Sequence, residues 1–156
     1  MEITNCDLGI ASEGSFGPHP SIFYIHADEE YLIFIDKKNK LEIIVKELSL
    51  KTNFNGSEII SEAELTEFAH KAKFPSHSLI VRKAKDDFKK IIKGINSYEK
   101  LYSSFHYFFT KFGKAYVETD MRALHNPTRM EIIETAAQKL LKKIRSTCPA
   151  CYTPGF

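Results

Sequence analysis

Three segments with helical spacing, each opened by a capping residue, alternate with short β-branched runs, and this alternation narrows the chain to a sheet with helices packed on it. Ser61 opens the first segment, making a capping box with Glu64; Leu65, Phe68, Ala69 and Ala72 follow at i, i+3, i+4 and i+7, and Phe74-Pro75-Ser76 stops it. Asn96 with Glu99 opens the second. Its stripe of Tyr98, Leu101, Tyr102, Phe105, Phe108, Phe109 and Phe112 ends at Gly113 and reads as core packing. The third starts with Asn126 as N-cap and Pro127 at the first helical position, and its predicted buried side is Met130, Ile133, Ala137, Leu140, Leu141 and Ile144. Strand-length runs occupy 7–12, 31–36, 41–48, 78–82, 89–95 and 114–119; the second and third flank Lys37-Lys38-Asn39-Lys40 and predict a hairpin. The order predicts an α/β or α+β fold: a mixed sheet of about six strands with three helices on it, as one domain over 1–146 followed by a tail, 147–156.

A chain of 156 residues can bury roughly 70% of its unfolded surface. With 43% apolar and 27% charged residues it has the composition of a globular protein. The formal charge of +2 is too balanced for a protein that coats nucleic acid, although a local basic patch leaves that partner open. No apolar run is long enough to span a membrane, and the first residues lack a basic segment followed by an apolar one, so the expected location is the cytoplasm.

Two segments carry residues suited to chemistry. The first run empties into Ser12-Glu13-Gly14-Ser15-Phe16-Gly17-Pro18-His19-Pro20. Read as a loop, it would let glycine backbone approach a ligand and offer consecutive N–H groups from Ser12, Gly14 and Ser15, with Glu13 and His19 at hand. The second is 117–130, which leaves a strand and enters a helix whose first turn has unpaired donors and the positive end of the helix dipole. Arg122, Asn126, Thr128 and Arg129 surround that helix start and suit phosphate oxygens. Glu118 and Asp120 are two apart in an extended stretch, a spacing compatible with sharing a divalent cation such as Mg2+ or Mn2+; the competing reading is that the arginines pair with these acids. Both segments follow strands, and parallel neighbours would carry Glu13, His19, Asp120 and Arg122 to one sheet edge. A general acid or base would come from His19, His77 or His125. Cys148-Pro149-Ala150-Cys151 is half of a zinc knuckle: a tetrahedral site needs a second pair, and the alternatives are free thiols or a redox pair.

The stretches 7–20, 74–82, 93–95, 118–130 and 148–156 together resemble the signature blocks of a family of uncharacterised bacterial proteins classed as a domain of unknown function. The resemblance spans nearly the whole chain and implies no activity. It implies relatives that extend further at both ends, with an α/β segment before Met1 and more CxxC knuckles after Phe156. In such relatives the segment before Met1 followed by the Ser12-Glu13-Gly14-Ser15 loop is similar in layout to the house-cleaning nucleoside-triphosphate pyrophosphatases. That likeness implies Glu13 as the acidic metal ligand, Asp120 as a second ligand, and Arg122 and Arg129 on the phosphates; the Asp-Asp-Ser-Gly of that group is missing. The expected function is therefore a divalent-metal-dependent hydrolase or transferase acting on a phosphorylated small molecule or nucleotide. Glu13, His19 and Asp120 are its expected catalytic residues. The alternative is a non-enzymatic, zinc-ribbon-tailed module that binds nucleic acid or a protein partner through Lys37, Lys38, Lys40, Lys142, Lys143 and Arg145.

Overall fold

The computed structural model describes residues 5–155, so the first four residues of the expected domain and Phe156 of the tail lie outside the described residues. Among those described, seven strands and three α-helices form two sheets of three and four strands. The mixed α/β class is as expected. The single mixed sheet is not: every strand pairing is antiparallel, and the strands divide between two compact units, Met1–Lys51 with Glu131–Phe156, and Thr52–Met130.

The first unit is built on β1 (Leu8–His19), β2 (Ile22–Asp36) and β3 (Leu41–Ser49), in that order across the sheet. The hairpin at 37–40 forms where the polar turn predicts it. Asp36 Oδ1 accepts from the Asn39 amide at 3.0 Å and Lys40 takes a positive φ of 52°. The expected loop from Glu13 onward is instead strand. β1 pairs with β2 from Leu8↔Asp36 through Pro18↔His26, then shifts register to His19↔Ile22. Gly14, Gly17 and Pro18 are tolerated because β1 is an edge strand, where a missing N–H or side chain disrupts only one ladder. Leu32 and Phe34 of β2 and Leu41, Ile43 and Val45 of β3 face Ala136, Leu140 and Ile144 of α3 (Pro127–Arg145). The buried stripe of that helix is Ile132, Ala136 and Leu140 with Ile144 packed beside it: Leu140 and Ile144 are as predicted, Ile132 and Ala136 take the places expected of Ile133 and Ala137, and Met130 and Leu141 are exposed. The tail folds back onto this unit: Thr147 bridges Pro154, and the Gly155 amide donates to the Lys143 and Ser146 carbonyls. Gly155 lies against Ile43.

The second unit has strand order β4 (Gly56–Ile59), β7 (Ala115–Thr119), β5 (Leu79–Arg82), β6 (Ile91–Ile95). The short β4 had no expectation. Helix α1 (Glu62–Lys71) starts at Ser61, whose side chain accepts from the Glu64 amide, while Glu64 reaches back to the Ile60 amide at 2.9 Å. Helix α2 (Tyr98–Phe112) is capped by Ser97, one residue past the predicted Asn96, and ends at Gly113 in the left-handed region. Leu65, Phe68, Leu79, Val81, Ile95, Leu101, Phe105, Phe108, Ala115 and Val117 form one core between these helices and the sheet. The aromatic stripe of α2 is core only in part: Phe105 and Phe108 are buried, Tyr98 and Phe112 nearly half exposed.

Candidate functional site

Four strand ends meet at one edge of the four-stranded sheet. Because β7 is antiparallel to both neighbours, its C-terminal end lies beside the start of β4 and of β5, and β6, antiparallel to β5, finishes there too. Beyond the ladders the Asp120 amide donates to the Ser78 carbonyl at 2.9 Å, and the Ser78 amide donates to the His125 carbonyl at 3.0 Å. On the other side the Thr119 amide donates to the Asn55 carbonyl at 3.0 Å. This edge therefore collects residues from three of the blocks marked in the sequence, 74–82, 93–95 and 118–130.

Asp120 anchors the edge. Its carboxylate is fully buried and accepts from Arg122 Nε at 2.9 Å, Arg122 Nη2 at 2.5 Å, the Arg122 amide and the Gly94 amide. Burial pushes the Asp120 carboxyl upward, but the hydrogen bonds from Arg122 and the Gly94 amide outweigh it and hold the group below its ordinary value. The same contact with Asp120 raises Arg122 further. Half of the Arg122 side chain remains exposed, and Asp120 takes only one edge of its guanidinium. His125 closes a 3-10 turn (Ala123–His125) and shares a hydrogen bond of 3.2 Å between its Nδ1 and Ser78 Oγ. Both groups converge on Gly94, which has a φ of +64°. A Cβ there would stand 3.0 Å from His125 Cε1, 3.3 Å from His125 Nε2 and 3.4 Å from Arg122 Nη2. The site thus needs glycine at 94 for its backbone angle and for its open face.

The start of α3 is capped by the protein itself. Asn126 Oδ1 accepts from the Arg129 amide at 3.1 Å, and buried His77 Nε2 accepts from the Thr128 amide at 3.2 Å. Thr128 Oγ1 lies 2.8 Å from the same nitrogen. The other ring nitrogen of His77 is 3.0 Å from Ser76 Oγ, whose hydroxyl donates to the Lys73 carbonyl, so Nδ1 carries the proton. Arg129 Nη1 donates to the Met121 carbonyl at 2.7 Å. Asn126, Thr128 and Arg129, expected on a phosphate, are therefore turned inward to hold the helix start, because an N-terminus lodged among strand ends must have its donors satisfied.

The other expected site residues fall elsewhere. Glu13 and His19 lie on β1, in the first unit and in a different sheet from β7, so parallel neighbours do not carry them to Asp120 and Arg122. Ser12, Gly14 and Ser15 are in extended backbone, where successive N–H groups point to alternate sides and form no cradle. His19 Nδ1 accepts from the Ser21 amide at 3.1 Å and shapes the β1–β2 turn. Glu118 is paired with Arg82 at 2.7 Å. A shared cation does not fit this donor set, because Glu118 on β7 and Asp120 just beyond it are each engaged by their own arginine. Among the described residues no three His, Cys, Asp or Glu side chains are grouped to hold an ion. Cys148 and Cys151 supply two thiols; hydrogen bonds from Thr153 and Cys148 lower the Cys151 thiol. No helix among the described residues is long and apolar enough to cross a membrane.

Residues 1–156 match the model of a family described as a domain of unknown function, DUF6671. The chain belongs to that family. No curated protein and no solved structure matches it. Gly94 and Ser78 are the positions at this junction that the reading of side-chain types passed over. A glycine inside a β-branched run, as in Ile91-Ile92-Lys93-Gly94-Ile95, was the available signal of a close approach.

Proposed function

We propose that the protein acts on a phosphorylated small molecule, as a hydrolase or transferase, at the edge where Arg122 and His125 flank Gly94. The observation that carries this reading is the pairing of Arg122 with a buried carboxylate: Asp120 fixes one edge of the guanidinium while half of the side chain stays in solvent. An arginine so oriented offers its remaining N–H groups to phosphate oxygens with little ordering left to lose. His125, held through Nδ1 by Ser78, would hand a proton to or from the ligand at Nε2, beside the same point. No step is drawn through a cation. In a titration with nucleoside monophosphates and phosphorylated metabolites, Arg122→Lys keeps the charge but loses the fork, weakening binding by about 1 to 3 kcal/mol, and the loss of one hydrogen bond to buried Asp120 lowers stability by no more than Asp120→Asn does. Unchanged binding with a large loss of stability would make Arg122 only the structural partner of Asp120.

One observation favours a second reading, the non-enzymatic module. Leu41 and Ile144 pack in one cluster, which brings the Lys37, Lys38 and Lys40 turn and the Lys142, Lys143 and Arg145 end of α3 to the same end of the first unit, where the tail also lies. All six cations are exposed there, a layout suited to an anionic partner. Reversing Lys38 and Lys142 to Glu should abolish such binding and leave phosphate-ester binding intact; loss of neither activity would remove this reading.

A further inference from the structure

The second unit carries a separate concentration of charge. From Arg82 to Lys93 the chain has six basic and two acidic residues, in a protein whose overall formal charge is only +2. The connection between β5 and β6 sets Lys83, Lys89 and Lys90 opposite the last turn of α2, which contributes Lys111. Together they edge a cleft of about 260 Å³. This cleft continues into a wider one of about 700 Å³ beside Phe88, and the two share Lys83, Asp87 and Lys89. Asp87 is tied into the turn, accepting from the Lys89 amide at 2.9 Å.

Aromatic rings alternate with these lysines. Phe88 is 71% exposed and Phe112 44%, whereas Phe68, Phe74, Phe105 and Phe108 of the same unit are buried. Arg82 stacks 5.1 Å from the Phe88 ring, and Lys83 Nζ stands 4.5 Å from the centre of Phe112. Lys90 and Lys111 both converge on Tyr107, at 3.7 and 4.1 Å from its ring centre, and Lys111 donates to its hydroxyl at 3.0 Å. Hydrogen bonds from Lys90 and Lys111 lower the Tyr107 phenol to about 8. Two like charges are thus gathered round one phenol.

We infer that this lysine-lined, phenylalanine-rimmed groove binds single-stranded nucleic acid, with its lysines on successive phosphates and bases stacked on Phe88 and Phe112. Open clefts edged by lysine point charges suit a backbone that passes through. An enclosed pocket with a few fixed forks would suit a lone small molecule. Exposed aromatic faces between cations are the arrangement that binds unpaired bases without reading their sequence. The groove is independent of the Arg122 site, and its test separates the two.

Fluorescence anisotropy with labelled oligo-dT and oligo-U of about ten nucleotides, a length within the usual range of single-strand sites, is the direct test. The wild-type chain binds, and affinity falls as salt rises. Replacing Lys90 and Lys111 together by Ala weakens binding at least tenfold and lessens the salt slope by about 1.4, the contribution of two phosphate contacts on a single strand. Phe88→Ala weakens binding about fivefold or more without altering the slope, because it removes stacking and not charge. Phe88 is too exposed for that change to unfold the protein, so the second variant decides the matter if the lysine pair does not fold. Arg122→Lys leaves strand affinity unchanged. The inference is overturned if both groove variants bind like wild type, if duplex DNA binds as tightly as the single strand, or if a mononucleotide displaces the strand at equal concentration.

Discussion

Gly94→Ala is the substitution that presses hardest on the junction. Two costs can be separated. A Cβ in the left-handed region costs about 1 to 2 kcal/mol wherever it is placed. At Gly94 that atom would also stand 3.0 Å from His125 Cε1, so the ring must move and its hydrogen bond to Ser78 is strained, a further loss of about 0.5 to 1.5 kcal/mol. The total of about 1.5 to 3.5 kcal/mol corresponds to a fall in melting temperature of roughly 3 to 14 °C for a chain of this length. Gly113→Ala is the matched control. Gly113 has a φ of +72° at the end of α2, and nothing lies within 4 Å of the added atom, so only the first cost applies. Chemical denaturation of both variants gives the difference, and phosphate-ester titration shows whether it reaches the site: Gly94→Ala should weaken ligand binding, Gly113→Ala should not. Equal stability losses and equal binding in the two variants would refute the packing of His125 and Arg122 on Gly94.

Asp120→Asn should destabilise by about 2 to 3 kcal/mol near neutral pH, below the usual cost of breaking a fully buried pair because Arg122 is half in water. The folded-state value of Asp120 is depressed, so its stabilisation is complete above the unfolded carboxyl range and is lost as pH falls through the folded value; the gap between wild type and Asp120→Asn measured by denaturation should close below about pH 4. Ultraviolet titration of the phenols should show one group ionising at about 8 that disappears in Tyr107→Phe, and a first phenol ionising only near 10 would contradict the Lys90–Tyr107–Lys111 contact. In the tail, replacing Cys148 and Cys151 by Ser should change stability by no more than about 0.5 kcal/mol, whereas Gly155→Ala, at a φ of +95° and with Ile43 Cγ1 3.0 Å from the new atom, should cost about 2 kcal/mol by denaturation.

What could be read from the sequence followed from where each pattern had its cause. Caps and helical spacing are local, so Ser61, Gly113 and Pro127 marked three helices whose positions hold within a residue or two. Face assignment on α3 held at Leu140 and Ile144 and slipped by one position at Ile132 and Ala136, because Met130 and Leu141 continue the apolar stripe without being buried and a stripe does not say which of its edges meets the sheet. The extension of β1 through Gly14, Gly17 and Pro18 was hidden for another reason. An edge strand exposed on most of its length carries neither alternation nor a β-branched run, and its pairing with Ile22–Glu30 is a nonlocal property. Within the second candidate segment, several residues take structural roles that their types do not show. Asn126, Thr128 and Arg129 look like anion ligands in sequence and are cap and brace in the fold, because the partners that satisfy them, His77 and the Met121 carbonyl, come from other turns. Arg122 keeps its solvent face for the opposite reason: Asp120, two residues away, orients it without covering it.

The most direct measurement is an amide chemical-shift titration of the isotope-labelled protein with a nucleoside monophosphate, repeated on Arg122→Lys. A phosphate held between Arg122 and His125 perturbs the Gly94 and His125 amides at saturation and perturbs them far less in the variant. Gly94 and His125 signals that stay in place, or that shift identically in wild type and Arg122→Lys, would contradict a phosphate site at the junction of the four strand ends.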